Sequence, residues 1–270
     1  MFVKINYHIH TVFSDGKSSV RDYCEAAIQK GFEEIAFTDH LTVFPDGSTE
    51  HHSLNTFKLE NYVREIEAAS GEYGGRLTVR LGLEVDYIPG NEKILEKILG
   101  KYEFDIIIGS VHFVDNICID SSKQKALIEN MVRENGFDSL YSKYLNLVGE
   151  AVETGFFDII GHMDLVKIWG FNPTDGFDDE LKVLKLIGEK KLCLEVSSRG
   201  LRQPINSIYP SPRILKKAYE LGVPVTLGTD AHSVSEIDYS YDALMEYIKT
   251  AGYGHITTFN KRKPLEKKIE

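Results

Sequence analysis

Residues 3–16 read VKINYHIHTVFSDG, an apolar run ending in two histidines two positions apart, with Asp-Gly five residues on. Side chains of an extended chain alternate between faces, so His8 and His10 point the same way. Two imidazoles aimed at one place raise the question of what else is aimed there.

The same pattern, a short apolar run closed by polar residues, returns along the chain. Strands are predicted over 3–8, 34–38, 77–85, 105–111, 157–161, 192–197 and 223–229. Amphipathic helices are predicted over 19–30, 56–70, 91–101, 138–153, 178–190, 211–220 and 240–251. Ser211 and Pro212 read as an N-cap with proline at the first helical position, and Gly31, Gly155 and Gly222 fall where helix-ending glycines belong. Such alternation implies an α/β fold with parallel strands and right-handed crossovers, as a closed barrel or an open doubly wound sheet. Without a proline- or serine-rich linker, a low-complexity tract or a repeat, residues 1–270 read as one domain.

At 42% apolar residues the chain can bury a core, and 41 acidic against 31 basic side chains leave a formal charge of -10. That excess opposes unspecific binding to nucleic acid or to acidic membranes. A small phosphorylated molecule stays open as a partner, because a metal site reverses the field locally. Cys24, Cys118 and Cys193 are odd in number and far apart, which fits neither a disulfide framework nor a cysteine-rich zinc site. No apolar stretch reaches the roughly 18 residues of a membrane span, and no signal-peptide pattern opens the chain, so a cytoplasmic location is expected.

Placed on this scheme, the polar interruptions share one address. His8 and His10 end the first strand, Asp39 and His40 follow the second, and Glu84 lies near the end of the third. His112 follows the fourth, His162 the fifth, and Asp230 with His232 the seventh, so six of the nine histidines fall at C-terminal strand ends. Parallel α/β folds build their sites on that rim. Taken singly, His112 or His162 is more often a hydrogen-bonded core residue than a ligand. Asp39 and Asp164 could equally cap a helix or orient a neighbour, and Glu84 could be an ordinary ion-pair partner.

The set differs from its members, because six imidazoles and three carboxylates on one rim are expensive to bury without a cation between them. Imidazole and carboxylate without thiolate suit Zn, Mn or Fe(II) better than Ca or Mg. Asp15, Glu84, Asp230 and the six histidines suffice for two or three divalent ions. His51 and His52, in "PDGSTEHHS", read as a solvated loop with a lid or substrate contact as the alternative, and His255 reads as structural.

The ordered motifs "HIHTVFSDG", "FTDH", "GLEVD", "GSVHF", "GHMD" and "GTDAH" resemble those of the polymerase and histidinol phosphatase (PHP) family of metal-dependent phosphoesterases. The resemblance spans residues 7–232 and implies a distorted (β/α)7 barrel with up to three metals at its C-terminal rim. By motif position it implies one metal on His8, His10, Glu84 and Asp230. Glu84 would bridge to a second metal on His112 and His162, and Asp15, His40 and His232 would hold a third. Within the family, "SSRGLRQPINSIYPSPRIL" is most similar to the histidinol-phosphatase branch, although Ser197 and Ser198 stand where related members carry Asn-Thr.

The resemblance therefore implies hydrolysis of L-histidinol phosphate by a metal-activated water, with Arg202 as a bidentate clamp on the phosphate and Arg199 as the second candidate. A surface salt bridge is the alternative for Arg199. His232, His40 and Asp164 are the candidates for protonating the leaving oxygen. Asp86 or Asp46 would receive the cationic end of the substrate. The rival readings are another PHP activity, on nucleotides, phosphotyrosine or nucleic acid, and a non-catalytic metal-binding module. The acidic surface opposes a long nucleic acid, and every ligand position is filled by a competent residue.

Overall fold

The computed structural model describes residues 3–269. Its central sheet takes seven parallel strands in chain order: β1 (Ile5–Asn6), β2 (Glu34–Phe37), β3 (Thr78–Asp86), β4 (Ile106–Ser110), β5 (Ile159–Ile160), β6 (Cys193–Ser197) and β7 (Val225–Gly228). All six neighbouring pairs are parallel. The seventh strand then returns to the first. Tyr7 N donates to Leu227 O at 2.9 Å, Ala231 N donates to His8 O at 3.2 Å, and Ile9 and Ala231 form a parallel bridge. Closure decides between the two architectures that the βα rhythm left open, in favour of the distorted (β/α)7 barrel.

The strands are apolar runs because helices cover the outside while side chains fill the inside, so both faces are dry. Ile35, Leu83, Ile108, Leu194 and Leu227 are fully buried and belong to one continuous core. Around them lie α1 (Val20–Gln29), α2 (Thr56–Tyr73), α3 (Glu92–Leu99), α4 (Lys125–Asn135), α5 (Phe137–Glu153), α6 (Phe177–Glu189), α7 (Pro212–Glu220) and α8 (Tyr241–Ala251). A capping box opens α1, in which Ser19 accepts from Asp22 N while the Asp22 carboxylate accepts from Ser19 N. Pro212 starts α7 as predicted, but the Ser211 hydroxyl makes no cap bond. Gly31, Gly155 and Gly222 are left-handed after α1, α5 and α7, also as predicted.

Three features depart from the sequence reading. The first and fifth strands pair over only two residues each. The connection after β4 carries a small hairpin, Phe113–Val114 with Ile117–Cys118, and the additional helix α4. Beyond α8 the chain forms an antiparallel hairpin, β8 (His255–Asn260) with β9 (Lys263–Lys268).

This hairpin seals the N-terminal end of the barrel. Phe259 N donates to the Tyr7 hydroxyl at 2.9 Å, Arg262 N to Asp105 O at 2.8 Å, and the Arg262 guanidinium pairs with Asp158 at 3.0 Å. His255 lies on it, half exposed beside Glu266, far from the C-terminal rim. The C-terminal rim is left as the open end. All three cysteines are free. Among the described residues no helix is long and apolar enough to cross a membrane.

Candidate metal centre

The rim is assembled from strand ends. After β1 the chain turns sharply through residues 11–16, with Gly16 N donating to Thr11 O at 3.0 Å. A Cβ on Gly16 would stand 2.1 Å from the His10 carbonyl oxygen, so only glycine lets the turn fold back and bring Asp15 over His10. Asp39, buried after β2, ties down the same turn. Its Oδ1 accepts from Thr11 N at 2.9 Å, Ser14 N at 3.0 Å and Ser14 Oγ at 2.6 Å. Asp39 thus orients a neighbour, one of the alternatives its sequence position left open.

Glu84 is the hub. Its Oε2 lies 2.9 Å from His40 Nδ1, 3.2 Å from His8 Nε2 and 3.5 Å from His10 Nε2. Its Oε1 lies 2.9 Å from His162 Nε2 and 3.7 Å from His112 Nε2, and accepts from Ser110 Oγ at 2.7 Å. His10 Nε2 is also 3.2 Å from Asp230 Oδ1. Asp15, the most exposed member at 34%, places Oδ2 3.2 Å from His232 Nε2 and Oδ1 3.8 Å from His40 Nε2. All nine residues singled out as ligands therefore converge, in overlapping donor groups that His8, His10, His40 and Glu84 link.

The donor geometry fits a metal better than a hydrogen-bond network. Buried His8 Nε2, His10 Nε2, Glu84 Oε2 and Asp230 Oδ1 make no hydrogen bond although they face one another. Ligand atoms about 2.1 Å from a tetrahedral ion stand about 3.4 Å apart. Separations of 3.2, 3.2 and 3.5 Å among these atoms match that spacing, and His8 Nε2 to Asp230 Oδ1 is wider at 4.0 Å.

Electrostatics agree. Burial opposes charge on Glu84, but His8, His40 and His112 with the His162 bond outweigh it and hold the carboxyl well below its usual range. Burial likewise opposes charge on His8, yet Glu195, Glu84 and Asp230 hold that imidazole well above its usual range. Burial with the neighbouring His40 and His232 drives His10 down to about 3. Against the cost of burial, Glu84 lifts His40 to about 9, and Asp86 with Glu84 lifts His112 to about 10.

Several side chains act differently from their sequence reading. Arg202 does not reach the cavity. Its Nη2 donates to Thr229 O at 2.7 Å and Asp230 O at 2.8 Å, and its guanidinium lies over Tyr239. It braces Asp230, whose φ of 50° puts a non-glycine residue in the left-handed region. Arg199 is the arginine at the cavity, with Nε 3.3 Å from Asp230 Oδ2 and Nη1 3.1 Å from His232 Nδ1.

Asp164 is fully buried away from the cavity, its Oδ2 accepting from Lys167 Nζ at 3.0 Å and Ser211 N at 2.9 Å. A carboxylate so placed cannot meet a leaving group on the rim. Asp46 is committed to a turn with Ser48. Asp86 lines the cavity and is bonded to His112 Nδ1 at 2.7 Å and Thr42 Oγ1 at 2.5 Å, so it fixes a histidine ring.

The cavity, about 330 Å³, is bordered by His40, His112, His162, Arg199 and His232. Its outer wall includes Asp120, Ser121, Ser122 and Gln124, from the segment between the small hairpin and α4 that sequence reading passed over. Burial opposes charge on Asp120, but His112 and Arg199 hold its carboxyl below the ordinary value. His51 and His52 also line the mouth, and the His52 ring stands edge-on to His40 at 5.7 Å. His52 is thus packed against a rim histidine and not in a freely solvated loop, whereas His51 is 82% exposed.

Comparison with known proteins follows this geometry. The model of the PHP domain matches residues 6–199. The chain is 35% identical over 257 residues to a probable histidinol-phosphatase of Deinococcus radiodurans, covering 95% of this chain and 96% of the relative. It is 31% identical to the histidinol-phosphatase of Bacillus subtilis, covering 88% and 97%. The crystal structure of histidinol phosphate phosphatase from Lactococcus lactis, complexed with zinc, L-histidinol and phosphate, superposes with a TM-score of 0.79 at 27% identity, over 97% of this chain and 98% of that one.

Proposed function

The chain belongs to the PHP-domain family, and from that premise we propose that it hydrolyses L-histidinol phosphate to L-histidinol and phosphate. The observation that carries the reading is one cavity in which six members of the donor cluster, Asp15, His40, His112, His162, Asp230 and His232, stand with a cation, Arg199, and an anion, Asp120. Phosphate and a cationic alcohol are the two halves of this substrate.

His8, His10, Glu84 and Asp230, then Glu84, His112 and His162, then Asp15, His40 and His232 are assigned as the metal-holding sets. Divalent ions bound there would supply Lewis acidity toward the phosphoryl oxygens and would lower the pKa of a water so that hydroxide is available near neutral pH. Arg199 takes a non-bridging phosphoryl oxygen, and its present contacts with Asp230 and His232 keep its guanidinium at the mouth. Asp120 takes the ammonium group, and the hydroxyls and amide of Ser121, Ser122 and Gln124 offer partners to the substrate imidazole. His40 and His232 border the cavity and are the candidates left for returning a proton to the leaving alkoxide, each from the ring nitrogen that holds no ion; the position of Asp164 denies it that role.

Glu50 and Asp120 at the mouth oppose a polyanionic strand, which supports a small substrate over a nucleic acid. The three free cysteines support a reducing, cytoplasmic setting. Phosphate release from histidinol phosphate, mononucleotides, phosphotyrosine, p-nitrophenyl phosphate and oligonucleotides tests the assignment. Histidinol phosphate should lead in kcat/KM by at least about tenfold. Equal turnover of p-nitrophenyl phosphate would overturn the substrate.

A further inference from the structure

We infer that Glu195 is a positioning residue that joins two of the metal-holding sets, fixing the His8 ring and the His162 backbone with the two oxygens of one carboxylate. The inference rests on the metal-centre reading above, but not on the identity of the substrate.

Glu195 lies in the middle of β6 and points into the barrel, where only 1% of it is exposed. Its Oε1 is 2.6 Å from His8 Nδ1, and its Oε2 accepts from His162 N at 2.8 Å. A carboxylate at Nδ1 requires the proton there, so the lone pair of a neutral His8 is on Nε2. That nitrogen is the one 3.2 Å from Glu84 Oε2 and 4.0 Å from Asp230 Oδ1. The second oxygen holds the main chain at the point where His162 leaves β5 toward Glu84.

The backbone is cut to admit this carboxylate. A Cβ on Gly228 would lie 2.1 Å from Glu195 Oε1 and 2.7 Å from His8 Cβ. Glycine in "GTDAH" thus makes room for Glu195 and His8 together. Among the described residues the ion pair that Glu195 makes is with His8, and a buried carboxylate so placed is unfavourable unless positive charge lies close by. The donor cluster, reached through His8, is where that charge can be gathered.

His8 belongs to one set and His162 to another, so loss of Glu195 should loosen both together. The third set of Asp15, His40 and His232 has no bond to it. Partners of metal-ligating histidines contribute about 10–100-fold in metal affinity. Zn(II) competition against a chromophoric chelator, with the visible spectrum of the Co(II)-substituted protein, should therefore show Glu195→Gln weakened by about 10–100-fold with a shifted Co(II) band.

Gln keeps the volume but can accept only one of the two bonds. A folded Glu195→Gln protein with Zn(II) affinity within about threefold of the parent and an unchanged Co(II) spectrum would overturn the inference, whatever happens to activity. Should that variant not fold, Glu195→Asp decides by the same readouts, since it keeps the charge but withdraws both oxygens from His8 Nδ1 and His162 N. Neither readout involves substrate, so a wrong substrate assignment leaves this result standing.

Discussion

Arg199 and Arg202 stand three residues apart, and the structure gives them opposite duties, which makes their exchange of rank the sharpest test of the site. Arg199→Ala removes a guanidinium that borders the cavity and is held there by Asp230 Oδ2 at 3.3 Å and His232 Nδ1 at 3.1 Å. One hydrogen bond to a charged group contributes about 1.5–3 kcal/mol. At about 1.4 kcal/mol per decade, kcat/KM for the phosphate ester should fall about 10–150-fold, and competition by inorganic phosphate should weaken in parallel. The same change deprives Asp230 of a cation, leaving the cluster more negative, so bound metal measured by elemental analysis should hold or increase.

Arg202→Ala should behave in the opposite way. It removes two bonds, to Thr229 O and Asp230 O, that brace the left-handed turn at Asp230. Metal retention and the thermal midpoint should drop, while phosphate inhibition of whatever enzyme stays loaded should be unchanged. The assignment fails if Arg199→Ala keeps its phosphate inhibition constant within about twofold while metal-loaded Arg202→Ala loses it.

Glu84→Gln preserves shape but removes the charge shared by five imidazoles; metal affinity should fall by more than the ~100-fold seen for outer partners, and phosphate release should vanish with the circular dichroism spectrum intact. Asp120→Asn should raise KM for histidinol phosphate about tenfold, the size of one charged hydrogen bond, and leave p-nitrophenyl phosphate turnover unchanged in a parallel assay. In the metal-free chain His40 is raised from 6.5 to about 9 and His112 from 6.5 to about 10, so their stabilising contribution is complete below 6.5 and is lost as pH climbs through those values. Metal binding needs neutral imidazoles and strengthens over the same window. The gap in thermal midpoint between metal-loaded and chelator-treated protein should therefore widen between pH 6.5 and 9, and a constant gap by differential scanning fluorimetry would refute the coupling.

What could be read from residue order followed from geometry that tolerates imprecision. A parallel strand delivers whatever follows it to the same rim, so His112 and His162 reach Glu84 even though the strand before His162 pairs over only two residues. Features that depend on turn chemistry were hidden. The loop of the C-terminal hairpin places Lys261 and Arg262 at φ of 49° and 62°, where Asn-Gly or Asp-Gly is the usual signal, so nothing in "FNKRKP" announced a turn. Arg199 and Arg202 lie on one 3₁₀ turn, Ser198–Arg202, where residues three apart share a face. What separates them is the atoms each meets, the Asp230 and His232 side chains for Arg199 and the Thr229 and Asp230 carbonyls for Arg202, and periodicity carries no information about that.

The two interior glutamates mark the deeper limit. Glu84 in "LTVRLGLEV" and Glu195 in "LCLEVS" have the same local signature, a carboxylate within an apolar run, and both are 1% exposed. What distinguishes them is the nitrogen each one meets. Glu84 faces His8 Nε2 at 3.2 Å, while Glu195 takes His8 Nδ1 at 2.6 Å from the other side of the same ring. One carboxylate therefore stands with the lone pair and competes for an ion, and the other fixes the proton that leaves that lone pair available. Which of the two roles a buried glutamate plays is settled by which strand lies opposite it across the barrel, a relation between residues more than 100 positions apart for the pair His8 and Glu195.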